Sequence, residues 1–222
     1  MNRTLGKVRC KHRHTIDEHP ACFAQAEVED LRKGEKLPWF KESGMKIGYL
    51  DIESDGLKAD FSTMLSWCIK EKGGEISFDA VTKQELFDGR TDRRIISSIL
   101  KEMSKYKIVV TYYGTGFDIP YIRAKALHYG LTFPSYSDLY HFDLYYTVKA
   151  KLCLSRKSLD NACDYLGIVG KTPINKDVWR RAKYGDKDAI REVLIHNAGD
   201  VEILEVLHDK LADFAKWTKR SV

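Results

Sequence analysis

Residues 46–54 read KIGYLDIES, an apolar run that closes on two acids two positions apart, Asp51 and Glu53. In an extended strand, residues i and i+2 project from the same face, so these carboxylates stand side by side. Buried there without a counter-charge they would repel, and at least one would have to take up a proton. The strand must therefore end either at solvent or at a cation. A core strand that runs out at an open edge or cleft satisfies this requirement.

The rest of the chain supplies elements for such a fold. DFSTMLSWCIK and EISFDAVT read as two further strands with turn residues between them, completing an antiparallel meander. DRRIISSILKEMSKY has helical apolar spacing at Ile95, Ile96, Ile99, Leu100 and Met103, with Asp92 expected as its N-cap. KIVVTYY predicts a short β-branched strand, GTGFD a loop and IPYIRAKALHYGL a helix. YHFDLYYTV predicts a fifth strand, and SLDNACDYLGI, KDVWRRAKYG and a long segment from Lys187 toward Trp217 predict helices. This order is that of an α/β domain with a mixed sheet, spanning residues 46–222. Residues 27–45 read as a polar linker and residues 1–26 as a separate Cys/His-rich extension.

Composition narrows the class. The 222 residues suffice for one core plus a small appendage. No apolar run approaches the roughly 18 residues of a membrane helix, so no membrane partner is expected. MNRTLGKVRC lacks the apolar core of a secretory signal, and five cysteines, an odd number, suit a reducing compartment; a cytoplasmic location is expected. The net charge of +5 permits contact with phosphates without demanding it.

On this framework Asp51 and Glu53 close the first strand, and Asp118 opens a helix after the Gly-containing loop. Asp200 lies on the long C-terminal helix, one turn after His196 and on the same face. Four acids so distributed can converge on one cleft at the sheet edge. Two-metal phosphoryl transfer calls for such a set: hard divalent cations take oxygen ligands, and two of them about 4 Å apart stabilise attacking and leaving oxygens. Four carboxylates match the charge of two such ions.

The segments DIES, TYYGTGFDIPYI and HNAGDVEIL together resemble the three motifs of DEDD-type 3′-5′ exonucleases in the ribonuclease H-like superfamily. The likeness is to the exonuclease domain of family B DNA polymerases and its stand-alone, phage-type relatives, over roughly residues 46 to 212. It implies a ribonuclease H-like fold, a five-stranded mixed sheet flanked by helices. It also implies 3′-5′ hydrolysis of nucleic acid with two Mg²⁺ or Mn²⁺ ions. Carried over by position, Asp51, Glu53, Asp118 and Asp200 become metal ligands and His196 the general base. Two positions depart from the family: Tyr113 stands where Asn is usual, and His196 stands four residues before Asp200, where the family has Tyr at four or His at five.

Four further features carry expectations. Asp143 either lines the same cleft or is structural. Among Tyr112, Tyr113, Phe117 and Tyr121, one or two are candidates to stack on unpaired bases, the rest being core. Lys149, Lys151, Arg156 and Lys157 either hold phosphates or form a solvated face. In CKHRHTIDEHPAC, Cys10 with His14, and His19 with Cys22, have the pair spacing of a structural Zn²⁺ site, with His12 as the alternate to His14; a basic arm without metal is the other reading, and the extension is a candidate contact for a protein partner. The function expected is that of an exonuclease on DNA, with an endonuclease, an RNA-directed nuclease or a silent nucleic-acid-binding module as alternatives.

Overall fold

The computed structural model describes residues 46–87, 91–135, 138–170 and 173–214. Five strands, β1 (Ile47–Ser54), β2 (Met64–Glu71), β3 (Ile76–Ala80), β4 (Ile108–Thr111) and β5 (Tyr140–Asp143), form one mixed sheet in the order β3-β2-β1-β4-β5. β1, β2 and β3 pair antiparallel, as the meander requires, whereas β4 and β5 run parallel to β1. The described helices are α1 (Lys83–Phe87), α2 (Arg93–Met103), α3 (Asp118–His128), α4 (Leu144–Lys151), α5 (Leu159–Tyr165), α6 (Lys176–Lys183) and α7 (Lys187–Leu211).

The alternation along β1 sets the layers. Leu50 and Ile52 point into a core with Ile95, Ile96, Ile99 and Met103 of α2 and Ile119 and Ile122 of α3. Tyr49 and Glu53, four positions apart and so on the same opposite face, face α7: the Tyr49 hydroxyl lies 2.9 Å from His208 Nδ1, and Glu53 meets His196. At its N-terminal end α7 packs Ala189, Ile190 and Val193 against Leu65 of β2 and Val178 of α6. Helices α2 and α3 thus cover one sheet face and α7 the other, each burial worth roughly 25 cal/mol per Å² of apolar surface removed from water.

Two local expectations are corrected. The fifth strand stops at Asp143, and LYYTVKAK is helix α4. Asp143 is the switch, because its carboxylate accepts the Tyr145 N–H as an N-cap. Asp92 occupies the N-cap position of α2 but does not cap it with its side chain. That buried carboxylate instead accepts the Met64 N–H at 2.9 Å and pairs with Lys125 at 3.0 Å, a tertiary use that outcompetes the local one.

His208 yields a prediction on acid stability. Burial, reinforced by the Lys72 cation, pushes its pKa down to about 4 from an ordinary value of 6.5, with Asp209 and Glu205 opposing. A folded pKa below the unfolded one means that stability is lost as pH falls from 6.5 toward 4, by about 3 kcal/mol for this group. Urea unfolding at pH 7 and pH 4.5 is expected to show His208→Gln losing less stability on acidification than wild type by about 1–3 kcal/mol. Equal losses in the two proteins would assign the acid sensitivity to other groups.

Candidate active site

The β1–β4 ladder ends at the Tyr49–Val110 pair, and β4 itself ends at Thr111. Beyond that point β1 has no strand partner on that side among the described residues, and Asp118, the first residue of α3, fills the place. Its Oδ1 accepts the Ile52 N–H at 3.1 Å, the amide between Asp51 and Glu53. Asp118 is only 3% exposed. Desolvation pushes its pKa up to about 7, aided by the field of Asp143 and opposed by the Ile52 and Asp118 amides. A carboxyl in this position holds a proton near neutrality unless a cation replaces it.

On the α7 side, His196 Nε2 lies 3.6 Å from Glu53 Oε1 and 3.9 Å from Asp200 Oδ2. One ligand atom from each of Glu53, His196 and Asp200 lies within 4.8 Å of the others, a donor set able to hold a metal ion. Asp51 and Glu53 pair in register with Cys68 and Ser66 of β2, which share their sheet face. Burial raises the Cys68 thiol pKa strongly, and the fields of Asp51 and Glu53 add to the rise, which places both acids beside it. The structure therefore gathers the sequence-derived residues from three separate segments around the open end of β1.

The surroundings include residues that sequence reasoning passed over. Asn197 is fully buried on α7; its Nδ2 donates to the Asp51 carbonyl at 3.4 Å, while its Oδ1 has no hydrogen-bond partner among the described residues. Its place beside His196 in HNAGD was the available signal. Trp179 of α6 meets the His196 ring edge-on at 6.3 Å, and Lys183 lies 3.6 Å from Asp55, just beyond β1. KDVWRRAKYG reads only as an amphipathic helix, with nothing to say that it lies beside this cleft.

Asp143 takes the structural role. Its Oδ1 accepts the Tyr113 N–H at 2.8 Å and its Oδ2 the Thr115 N–H at 2.9 Å, so it pins the loop that delivers Asp118. Of the four aromatics, Tyr121 is buried with its hydroxyl on Ser62, and Tyr112 is tied through its hydroxyl to the Lys157 carbonyl at 2.6 Å. Phe117 packs partly buried against the α2–α3 core, and Tyr113 is exposed. In the basic run, Lys149 sits over the Tyr145 ring and the Lys157 ammonium donates to the Leu154 carbonyl. Cys10, His12, His14, His19 and Cys22 lie outside the described residues. No described helix is long and apolar enough to cross a membrane.

Comparison with known proteins gives a consistent result. A family model described as the RNase H superfamily matches residues 48–212. A DNA polymerase of Methanocaldococcus jannaschii is 23% identical over 147 residues, which are 65% of this chain and 8% of that protein. The solved family B DNA polymerase of the hyperthermophilic archaeon Pyrobaculum calidifontis superposes with a TM-score of 0.60 at 20% identity. That superposition covers 76% of this chain and 24% of the polymerase. The chain thus corresponds to a small part of either polymerase.

Proposed function

The chain belongs to the RNase H superfamily, and from that membership together with its carboxylate cleft we propose that it is a metal-dependent nuclease. The reading extends to a 3′-5′ exonuclease hydrolysing phosphodiester bonds at single-stranded DNA ends, DNA being favoured because both polymerase relatives are DNA polymerases by name. The observation that carries it is the convergence of Glu53, His196 and Asp200 at the end of a strand whose Ile52 amide, between Asp51 and Glu53, is held by buried Asp118. Hard oxygen donors, one imidazole and a buried carboxyl whose bare charge desolvation disfavours suit divalent cations of the Mg²⁺ or Mn²⁺ type.

In this reading Asp51, Glu53, Asp118 and Asp200 hold two such ions. When bound, the ions neutralise the carboxylates and stabilise charge developing on the phosphate oxygens. His196 accepts the proton of the attacking water at Nε2, the nitrogen that faces the cleft. Asn197, through the Asp51 carbonyl, fixes α7 to β1 so that Asp200 and Glu53 stay in register. A second reading rests on the 3.6 Å and 3.9 Å separations: His196 is then itself a ligand alongside Glu53 and Asp200.

The test is incubation with end-labelled single- and double-stranded DNA and RNA in Mg²⁺, Mn²⁺ or EDTA. A ladder growing from the 3′ end with Mg²⁺ or Mn²⁺ and none with EDTA is expected. Internal cuts would replace the exonuclease by an endonuclease, and absence of cleavage under all conditions would leave a binding module.

For the N-terminal extension we propose one structural zinc on Cys10, His14, His19 and Cys22. Elemental analysis of protein purified without chelator is expected to give close to one zinc per chain, lost in Cys10→Ser with Cys22→Ser. A zinc-free wild type would leave only the basic-arm reading.

A further inference from the structure

Tyr113 is the one described non-glycine residue with positive φ, at 65°. That conformation is strained for a bulky side chain, and such strain persists only where surrounding structure enforces it. Here Asp143 enforces it by accepting the Tyr113 and Thr115 amides. Gly116 accommodates the outcome, since a Cβ there would come within 2.6 Å of the Tyr113 ring. The result is an aromatic ring left 48% exposed on the loop that runs directly into Asp118.

The ring is not isolated. Tyr113 meets Tyr145 edge-on at 4.9 Å, and Tyr145 meets Tyr146 at 5.3 Å, with Tyr146 40% exposed on the first turn of α4. Tyr112 braces Tyr145 from behind at 6.0 Å while its own hydroxyl is held by the Lys157 carbonyl. One turn along α4, the Lys149 ammonium lies 5.9 Å from the Tyr145 centroid. Tyr113 and Tyr146 thus keep solvent-exposed ring surface beside a cation, and the backbone under Tyr113 is held in a strained conformation. They match the stacking surfaces used for unpaired bases, which tolerate any sequence because every base has a π face.

We propose that Tyr113, Tyr145 and Tyr146, with Lys149, form a platform on which unpaired bases of single-stranded nucleic acid stack as the strand approaches Asp118. The proposal rests on the nuclease reading for its orientation toward the cleft, but its own readout is binding without cleavage.

The experiment measures fluorescence anisotropy in EDTA with a labelled oligothymidine of about 12 nucleotides, within the site sizes such grooves cover. A strand of the same length lacking bases and a blunt duplex serve as controls. Wild type is expected to bind the oligothymidine more tightly than either control. Tyr113→Gly is expected to weaken that binding roughly 5- to 150-fold, the range for one stacked base. Its melting temperature should equal or exceed that of wild type, because glycine accepts the positive φ without strain. This combination of lost binding with retained stability separates a binding ring from a structural one. Tyr146→Leu, which keeps apolar bulk, is expected to weaken binding while leaving the base-free strand unaffected. Tyr113→Gly binding within twofold of wild type would overturn the proposal. So would equal wild-type affinity for base-containing and base-free strands, or no saturable binding to the oligothymidine. Because no metal or cleavage is involved, a wild type that binds as expected but never cuts would sink the nuclease reading and leave the platform standing.

Discussion

Asp118→Asn is expected to lower cleavage by at least about 10³-fold, the loss of several kcal/mol of metal-borne charge stabilisation. The same substitution is expected to leave the metal-free protein at pH 8 more stable than wild type. The carboxyl is buried, and desolvation holds its pKa at about 7, against an ordinary 3.8. A folded pKa above the unfolded one gives stability that is complete below 3.8 and lost as pH rises through 7. At pH 8 wild type therefore carries an uncompensated buried charge. An amide at this position keeps the acceptor for the Ile52 N–H without the charge, a gain on the order of 1–3 kcal/mol. Added Mn²⁺ should reverse the ranking, since a ligand stabilises only the folded protein that binds it. Urea unfolding at pH 8 in EDTA and in Mn²⁺ checks both halves. A variant less stable than wild type in EDTA would show that the carboxyl does structural work as an anion.

His196→Ala is expected to lower turnover by about 10²- to 10⁴-fold, the range for removal of a general base. Under the base reading Mn²⁺ affinity stays within a fewfold of wild type, and His196→Tyr recovers part of the rate, because the four-residue spacing before Asp200 is the one used for tyrosine in the exonucleases that the motifs resemble. Under the ligand reading Mn²⁺ affinity falls and the tyrosine variant recovers nothing. Titration of Mn²⁺ followed by its EPR signal, alongside turnover, separates the two. An alanine variant within threefold of wild type would reduce His196 to packing against Trp179.

Much of this was legible in the residues because it depends on local rules. The period-2 alternation of KIGYLDIES sets which side chains face which layer, and β1 has Leu50 and Ile52 on one face with Tyr49 and Glu53 on the other. The spacing from His196 to Asp200 is one helical turn in any helix, and both meet Glu53's end of the cleft. The order of strands and helices sufficed for a mixed α/β sheet.

What could not be read depends on partners distant in sequence. YHFDLYYTV has the composition of a strand throughout, and only the amides of Tyr113 and Thr115, some thirty residues earlier, with the Tyr145 amide, turn Asp143 into the point where strand becomes helix. Asp92 has the local signature of a helix cap, yet a buried ammonium at Lys125 and an amide at Met64 offer its charge a stronger partner than a helix end does. The same holds at the cleft. Nothing in TYYGTGFD says that Asp118 lies against the Ile52 amide, because that contact exists only where the β1–β4 ladder stops and leaves the amide to be taken. Residue type and spacing specify what a side chain can do; burial and the competition among distant donors and acceptors specify which of those things it does.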